Sequence, residues 1–440
     1  MTAFIITALV NFSERVVNAN DYPVDVSSPV PSRQSLRALD GLTFFLADVQ
    51  DGLGPYLAIY LVAYCHWEPA HVGVAMAAVV VGTLLAQLPA GAMIDRTGHK
   101  RLAVVAAAAA VAACCVIMIS APFFPVIIAA QACIGAAAAV MPPAIAGISL
   151  GLVGRARFAR RTGRNEAFNH SGNVAAAILA GLAGTYIGYG AIFYLVAFIA
   201  VASAVSAMFI RENEIDHARA REAPMISPEV TPVVESISSA LLRNRKLMAF
   251  VGAVFLFHFG NAAMLPLVGQ KVSAGKPDSA AALMSACIIT AQIVMVPVAL
   301  LSARAAQRWG RKPIFLIGFL VLPIRGMLYT YSTDSVFLVA VQLLDGIGAG
   351  IYGVVGVLMV ADLARGTGRF NLALGAMVVA AGLGAAASQL LSGVIAGAAN
   401  YNTAFMSLSG VSVLGCVWFA LFVRETNTEY VHDTLSAAAH

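Results

Sequence analysis

The sequence predicts an all-α integral membrane protein: twelve transmembrane helices in two six-helix bundles related by pseudo-twofold symmetry. Three observations predict it. Of its 440 residues, 60% are hydrophobic and only 11% charged, with a mean hydropathy of +0.83, so about half the charge of a soluble domain is missing. Apolar runs long enough for the roughly 20 helical residues that cross a hydrocarbon core recur along nearly the whole chain. One long charged interval separates six such runs from six more, and residues of the first set recur in the second.

Residues 1–38 hold a brief apolar run, "AFIITALV", followed by a polar stretch. Neither a basic start nor a small-residue cleavage site frames the run, so a signal peptide is not expected. The segment reads as a disordered cytoplasmic tail or as translation from an upstream start codon. The expected spans lie near 40–64, 71–94, 101–121, 123–153, 166–188 and 190–210, then 247–269, 279–303, 313–332, 335–363, 370–398 and 402–423. Residues 39–210 and 247–424 are thus the expected bundles, joined by a cytoplasmic loop over 211–246 and followed by a tail over 425–440.

Arg and Lys accumulate on the side that stays cytoplasmic. Arg96, Lys100 and Arg101 follow the second span, Arg155 to Arg164 the fourth, and Arg304 to Lys312, Arg365, Arg369 and Arg424 mark the same side later. The opposite loops are free of both types except at Lys271 and Lys276. Both termini are therefore expected inside. The halves also repeat: Gln131 and Gly135 recur 211 positions later as Gln342 and Gly346, "TGR" at Thr162 recurs at Thr367, and Pro55 has a counterpart in Pro266. Two parallel repeats imply a cavity between them. The six cysteines form no CxxC pair and no secreted framework, and read as small packing residues.

Between spans two and three stands "GAMIDRTGHKR". Gly91 and Gly98 suit close approach and a tight turn, and Asp95 suits a neighbouring arginine or a helix N-terminus. Arg96, Lys100 and Arg101 supply the basic end, and a degraded copy, "ARAAQRWGRK", sits in the second half with Gln307 in the acidic position. With twelve spans, the central loop and the repeat, this pattern resembles the major facilitator superfamily over about nine tenths of the chain. The resemblance implies a transporter that alternates access to one central site, with Gly91, Asp95, Arg96, Gly98 and Lys100 latching the outward-facing state. Plain positive-inside charge accounts for the basic residues but not for the glycine and Asp spacing.

Charged side chains at the centre of a span cost at least about 2.5–3.5 kcal/mol, so each is a functional candidate. Asp48 and Asp51 lie at i and i+3 of span one, roughly 13 and 18 Å from its inner end, and share a face. Two like charges there suit a shared proton; packing against a polar neighbour is the competing reading. The repeat-related span seven carries His258 and Asn261, and His258 could exchange protons with either acid. Arg325 and Asp345, on adjacent antiparallel spans, fall at one depth and are expected to pair, structurally or as a protonation switch. Span five opens with Glu166, Asn169, His170 and Asn173 on one stripe, which cannot face lipid. Glu166 reads as a gate or helix-start acid, while Gln50, Asn169, His170, Asn173 and Asn261 are cavity candidates for solute.

The superfamily's proton-relay arginine of span four is Gln131 here, and span five lacks the Gly-Pro pair of many exporters, so that subgroup is not supported by motif. The expectation is a secondary active transporter for a small solute, coupled to protons, with export favoured. Proton-coupled uptake and divalent-cation export are alternatives, although no metal-ligand spacing is present. An integral-membrane enzyme lacks its polar catalytic cluster, and no Walker-type loop offers ATP. No cofactor, metal or nucleic acid is expected. Expected partners are solute, protons and lipid, for a monomer in a bacterial inner membrane.

Overall fold

A computed structural model describes residues 31–51, 53–217, 244–275, 277–364 and 370–427. Most of the terminal tails, most of the central loop, Lys276, and the Arg365, Arg369 and Thr367 positions of the charge and repeat patterns lie outside the described residues. The described residues are helical almost throughout: α1 (Arg33–Asp51), α2 (Gly54–Ala63), α3 (Pro69–Arg96), α4 (Lys100–Ser120), α5 (Phe124–Ala138), α6 (Met141–Tyr186) and α7 (Gly190–Met208). The second half holds α8 (Arg245–Asn261), α9 (Met264–Ser273), α10 (Pro277–Trp309), α11 (Arg311–Tyr331), α12 (Ser335–Leu363), α13 (Phe370–Ala398) and α14 (Tyr401–Phe422).

Among the described residues, ten segments are long and apolar enough to cross a membrane on their own. The other two expected spans depart for physical reasons. Span one is interrupted, leaving the short α2 as its second piece. Span five runs on from a polar helical stretch within the 46-residue α6, whose Gly154 takes φ 68° and ψ 171°. That left-handed backbone is open to glycine at little steric cost, and it separates span four from the polar stretch that leads into span five. Span four is itself jointed between α5 and α6, where Pro142 and Pro143 occupy the first turn of a new helix.

The chain divides into two compact units. One runs up to Gly54 and resumes over Val81–Met225; the other takes Pro55–Val80 and the chain from Ile226 on. The second piece of span one and the start of span two are thus counted with the second half. In the first unit α4 packs on α7, and α1 on α6 and on α7. In the second, α11 packs on α14, and α8 on α13 and on α14. The sequence repeat is therefore also a repeat of packing.

Three helices of the second unit, α8, α12 and α14, are capped at their start by the side chain of the cap residue. Asn244, Asp334 and Asn400 accept from Leu247 N at 3.1 Å, Phe337 N at 2.9 Å and Thr403 N at 2.9 Å, each satisfying one otherwise unpaired amide of a first turn. Phe257, Phe315, Phe319 and Phe419 fill the core of this unit, with ring centroids 5.1 Å apart for Phe257–Phe319 and 5.2 Å for both Phe315–Phe419 and Phe319–Phe419. Where α10 meets α12, a Cβ on Gly346 would come within 2.6 Å of the Ala291 carbonyl oxygen. Close backbone approach is what the repeated glycine provides here.

Candidate functional site

Span seven is broken where its proline requires it. Pro266 has no N–H, so Ala262, four residues earlier, loses its helical donor. α8 ends at Asn261, α9 begins at Met264, and the loose groups between them are met from α13. Gln389 Nε2 donates to Ala262 O at 3.1 Å, and Ser388 Oγ accepts from Ala263 N at 3.0 Å. The equivalent break in span one falls after Asp51, ahead of Pro55. His258 and Asn261 therefore stand on the last turn of a helix that stops within its span.

Arg325 and Asp345 pair as their depths predict. Arg325 Nη1 donates to Asp345 Oδ1 at 2.5 Å and to Asn261 Oδ1 at 2.6 Å, and Arg325 Nε donates to Tyr329 Oη at 2.9 Å. The guanidinium side chain is 1% exposed while the Asp345 side chain is 19% exposed. The cation is sealed in and one carboxylate oxygen is left open. One turn before Asp345, fully buried Gln342 has no nitrogen or oxygen partner for its amide among the described residues and faces the Cys287 thiol. Its repeat counterpart Gln131 is 2% exposed and likewise leaves Oε1 without a partner among the described residues.

His258 lies beside this group. Its Nδ1 is 3.2 Å from Val254 O, and its ring meets Tyr352 edge-on at 4.7 Å. Tyr352 in turn stacks on Phe257 at 5.0 Å. Tyr352 comes two helical turns after Asp345 on α12, and Asn261 one turn after His258 on α8; Arg325 Nη1 joins Asp345 and Asn261, and the ring contact joins His258 and Tyr352. Lys271, an exception to the expected charge pattern, has a structural occupation: its Nζ donates to Tyr329 O at 2.8 Å and Asn402 Oδ1 at 2.9 Å.

The span-one candidates Asp48, Gln50 and Asp51 belong to α1, with Asp51 its last residue; their side chains lie outside the described residues. On α6, Glu166 is exposed, and Asn169, His170 and Asn173 are partly buried. The acid engaged near this stripe is one that no sequence signal singles out. Asp40 accepts from Arg164 Nε at 2.9 Å and Nη2 at 2.8 Å, and Arg161 Nη2 lies 2.7 Å from its Oδ1. Arg161 Nε also donates to Asn165 Oδ1 at 2.7 Å, and Asn165 Nδ2 to Ser149 Oγ at 2.9 Å. Positive-inside charge explains those arginines equally well, so no periodicity sets them apart.

The glycines of the Gly91–Arg101 segment do not make the close approach that their spacing suggests. A Cβ on Gly91 or Gly98 would meet nothing within 4 Å, so neither glycine is there for close approach in this conformation. Arg96 is exposed, and the Asp95 side chain lies outside the described residues. Lys100 is the engaged member: fully buried, it donates through Nζ to Ile94 O at 2.5 Å and Thr97 O at 3.1 Å, covering carbonyls at the end of α3 as a basic C-terminal residue does. Arg101 donates to Glu212 at 2.5 Å, to Met208 O at 3.3 Å and to Ile210 O.

A family model described as Major Facilitator Superfamily matches residues 39–305 and 253–438, together nearly the whole chain. The chain belongs to the major facilitator superfamily. Two uncharacterized MFS-type transporters of Mycobacterium tuberculosis, from strains CDC 1551 / Oshkosh and ATCC 25618 / H37Rv, are each 47% identical over 397 residues, or 90% of this chain and 94% of theirs. Among solved structures, the nucleoside transporter NupG superposes with a TM-score of 0.73 at 14% identity, covering 88% of this chain and 98% of its own. A mutant of NupG gives the same TM-score at 15% identity, covering 88% and 100%. These structures share the fold. As a superfamily member the protein is a multi-pass membrane transporter of the secondary type, and not an enzyme.

Proposed function

We propose that this transporter exports a small solute in exchange for protons, and that Asp51, with Asp48 one turn before it, holds the proton. The observation that carries the reading is where α1 stops. Asp51 is its last residue, in the middle of an apolar span, and the next helix begins at Gly54. The last carbonyls of a helix lack intrahelical donors and carry the negative end of its dipole. A proton or cation is attracted there. The Gly91–Lys100 loop serves as the latch of the outward-facing state, and the distribution of Arg and Lys supports both termini lying in the cytoplasm of a bacterial cell. The transporter acts as a monomer in the inner membrane.

The test is flux in right-side-out and inverted vesicles with an imposed pH gradient, using a panel of neutral, anionic and cationic solutes. Wild type is expected to move its solute outward against the proton gradient. Asp51→Asn, and more weakly Asp48→Asn, should lose the pH dependence while keeping solute exchange. Unchanged pH dependence in both variants refutes the proton site, and accumulation on the cytoplasmic side refutes export.

A further inference from the structure

We propose that the groove between α4 and α7 in the first unit holds one anionic phospholipid, with an acyl chain along the groove and the phosphate at Arg211, Arg33 and Arg37. Such a site needs neither a particular solute nor proton coupling. Two cavities of about 540 and 360 Å³ meet at Val201 on the seam of these helices. The hollow comes from composition. α4 presents Ala109, Ala112 and Ala113 to it and α7 presents Ala197 and Ala204, so the side chains stop short of the dense filling that packed helices otherwise reach. On α4 the lining runs from Val105 to Ile117, about 18 Å at the rise of a helix, while one leaflet of hydrocarbon is about 15 Å deep. Every lining residue is apolar. The larger ones are exposed, Phe198 at 68% and Met208 at 53%, so in a bilayer the groove opens to hydrocarbon.

The end of the groove at Met208 and Phe209 meets a basic corner. Arg211 follows directly, with its side chain 54% exposed. Gln34 ties this corner to the start of α1: it donates to Phe209 O at 3.4 Å and accepts from Arg211 Nη2 at 2.9 Å. Arg33 and Arg37, flanking Gln34 on α1, are exposed and have no acidic partner among the described residues. The acids nearby are engaged. Glu212 accepts from Arg101 and has His217 at 3.4 Å, and Glu214 accepts from Ser32, with Arg211 no nearer than 3.6 Å. Accessible guanidiniums at the end of an apolar groove complement a phosphate joined to an alkyl chain, and the guanidinium fork suits phosphate oxygens. A second copy of the chain fits poorly. Copies inserted the same way meet through one shared patch, which sets hollow against hollow and Arg211 against Arg211 at one depth. A zwitterionic lipid fills the groove equally well but brings its own ammonium to the arginines.

The test is native mass spectrometry and thermal melting of the full-length protein in a mild detergent. Dioleoyl phosphatidylglycerol and dioleoyl phosphatidylcholine are supplied at equal concentration, and glycerol 3-phosphate serves as the headgroup without chains. One phosphatidylglycerol should be retained per chain and should raise the melting temperature. Phosphatidylcholine should be retained at least about fivefold less, the effect of one arginine near a charged lipid surface, and the preference should shrink as ionic strength rises. Glycerol 3-phosphate should neither be retained nor stabilise. Ala109→Leu/Ala113→Leu, at two exposed positions, fills the groove from its open side and should lose most of the retained lipid. Arg33→Gln/Arg211→Gln should keep a lipid in the groove but lose the preference for phosphatidylglycerol. Equal retention of the two lipids by wild type, retention of neither, unchanged retention in the groove-filled variant, stabilisation by glycerol 3-phosphate, or a dimer that the groove-filled variant dissociates overturns the assignment. None of these outcomes bears on the pH-gradient test of Asp51.

Discussion

Arg101 donates to Glu212 at 2.5 Å, and 211 positions further on Lys312 donates its backbone N–H to Glu425 at 2.9 Å. In each unit the acid comes after the last span and the base opens the third. Lys312 Nζ also reaches Ala420 O at 2.7 Å, as Arg101 reaches Met208 O and Ile210 O at the end of α7.

The two acids are not equal in what they hold. Glu212 sits in a partly exposed ion pair, a type of contact that contributes up to about 1 kcal/mol. Glu425 accepts from the amides of Arg311, Lys312, Thr426 and Asn427, each at 2.9 Å. It serves as the N-terminal cap of α11, whose own cap position, Gly310, has no side chain. Glu425→Ala is therefore expected to cost about 1–2 kcal/mol and to lower the melting temperature of the solubilised protein more than Glu212→Ala. The reverse order would remove the capping role.

Gln389 answers for the carbonyl that Pro266 leaves unpaired. Gln389→Leu should cost about 1–3 kcal/mol, the penalty for a buried acceptor without a donor. Pro266→Ala restores an N–H four residues after Ala262, so in the Gln389→Leu background it should recover part of that loss. A double-mutant cycle on unfolding stability measures the coupling; strictly additive effects would show that the two residues do not act on the same carbonyl.

Glu214 gives a pH dependence outside the membrane. Burial alone raises its carboxyl, but hydrogen bonds from Ser35 and from Ser32, with Arg211 nearby, outweigh that and bring it below the ordinary glutamate value. Ser32 N and Oγ lie 3.0 and 2.9 Å from Oε2. A lowered folded value means the contribution is fully present above the unfolded value of about 4.5 and is lost as pH falls through the folded one. Hydrogen exchange at the start of α1 should quicken over that acid window in wild type. In Glu214→Gln it should be fast throughout and lack the acid step.

The membrane class, the repeat and the Arg325–Asp345 pair were legible because each rests on signals the sequence carries directly: hydropathy, register and depth. The pairing emerges from counting along two antiparallel spans from opposite ends. What escaped were contacts made by residues with a second sufficient explanation. Arg161 and Arg164 looked like orientation charge, and Asp40 sat at a span end where an acid draws no notice. Arg211–Glu212 and Arg424–Glu425 recur as "FIREN" and "FVRET", a signal that would have exposed both clamps. The role of Gln389 had no signal at all, since only the fold tells which helix faces the gap made by Pro266.

Asp345 and Arg325 can be tested as a pair because the two ways of breaking them leave different remainders. Asp345→Asn strands a guanidinium that is 1% exposed, and removing one partner of a buried pair costs about 3–5 kcal/mol. Arg325→Met/Asp345→Leu removes both charges and leaves Asn261 and Tyr329 short of one donor each, a loss that apolar packing can offset in part. The double variant is therefore expected to melt above Asp345→Asn and close to wild type, while failing to move solute. If instead the single variant is as stable as wild type, the carboxylate is not what balances Arg325. A water or a neighbouring dipole would then have to hold that charge, and the open oxygen of Asp345 would lose its fixed position.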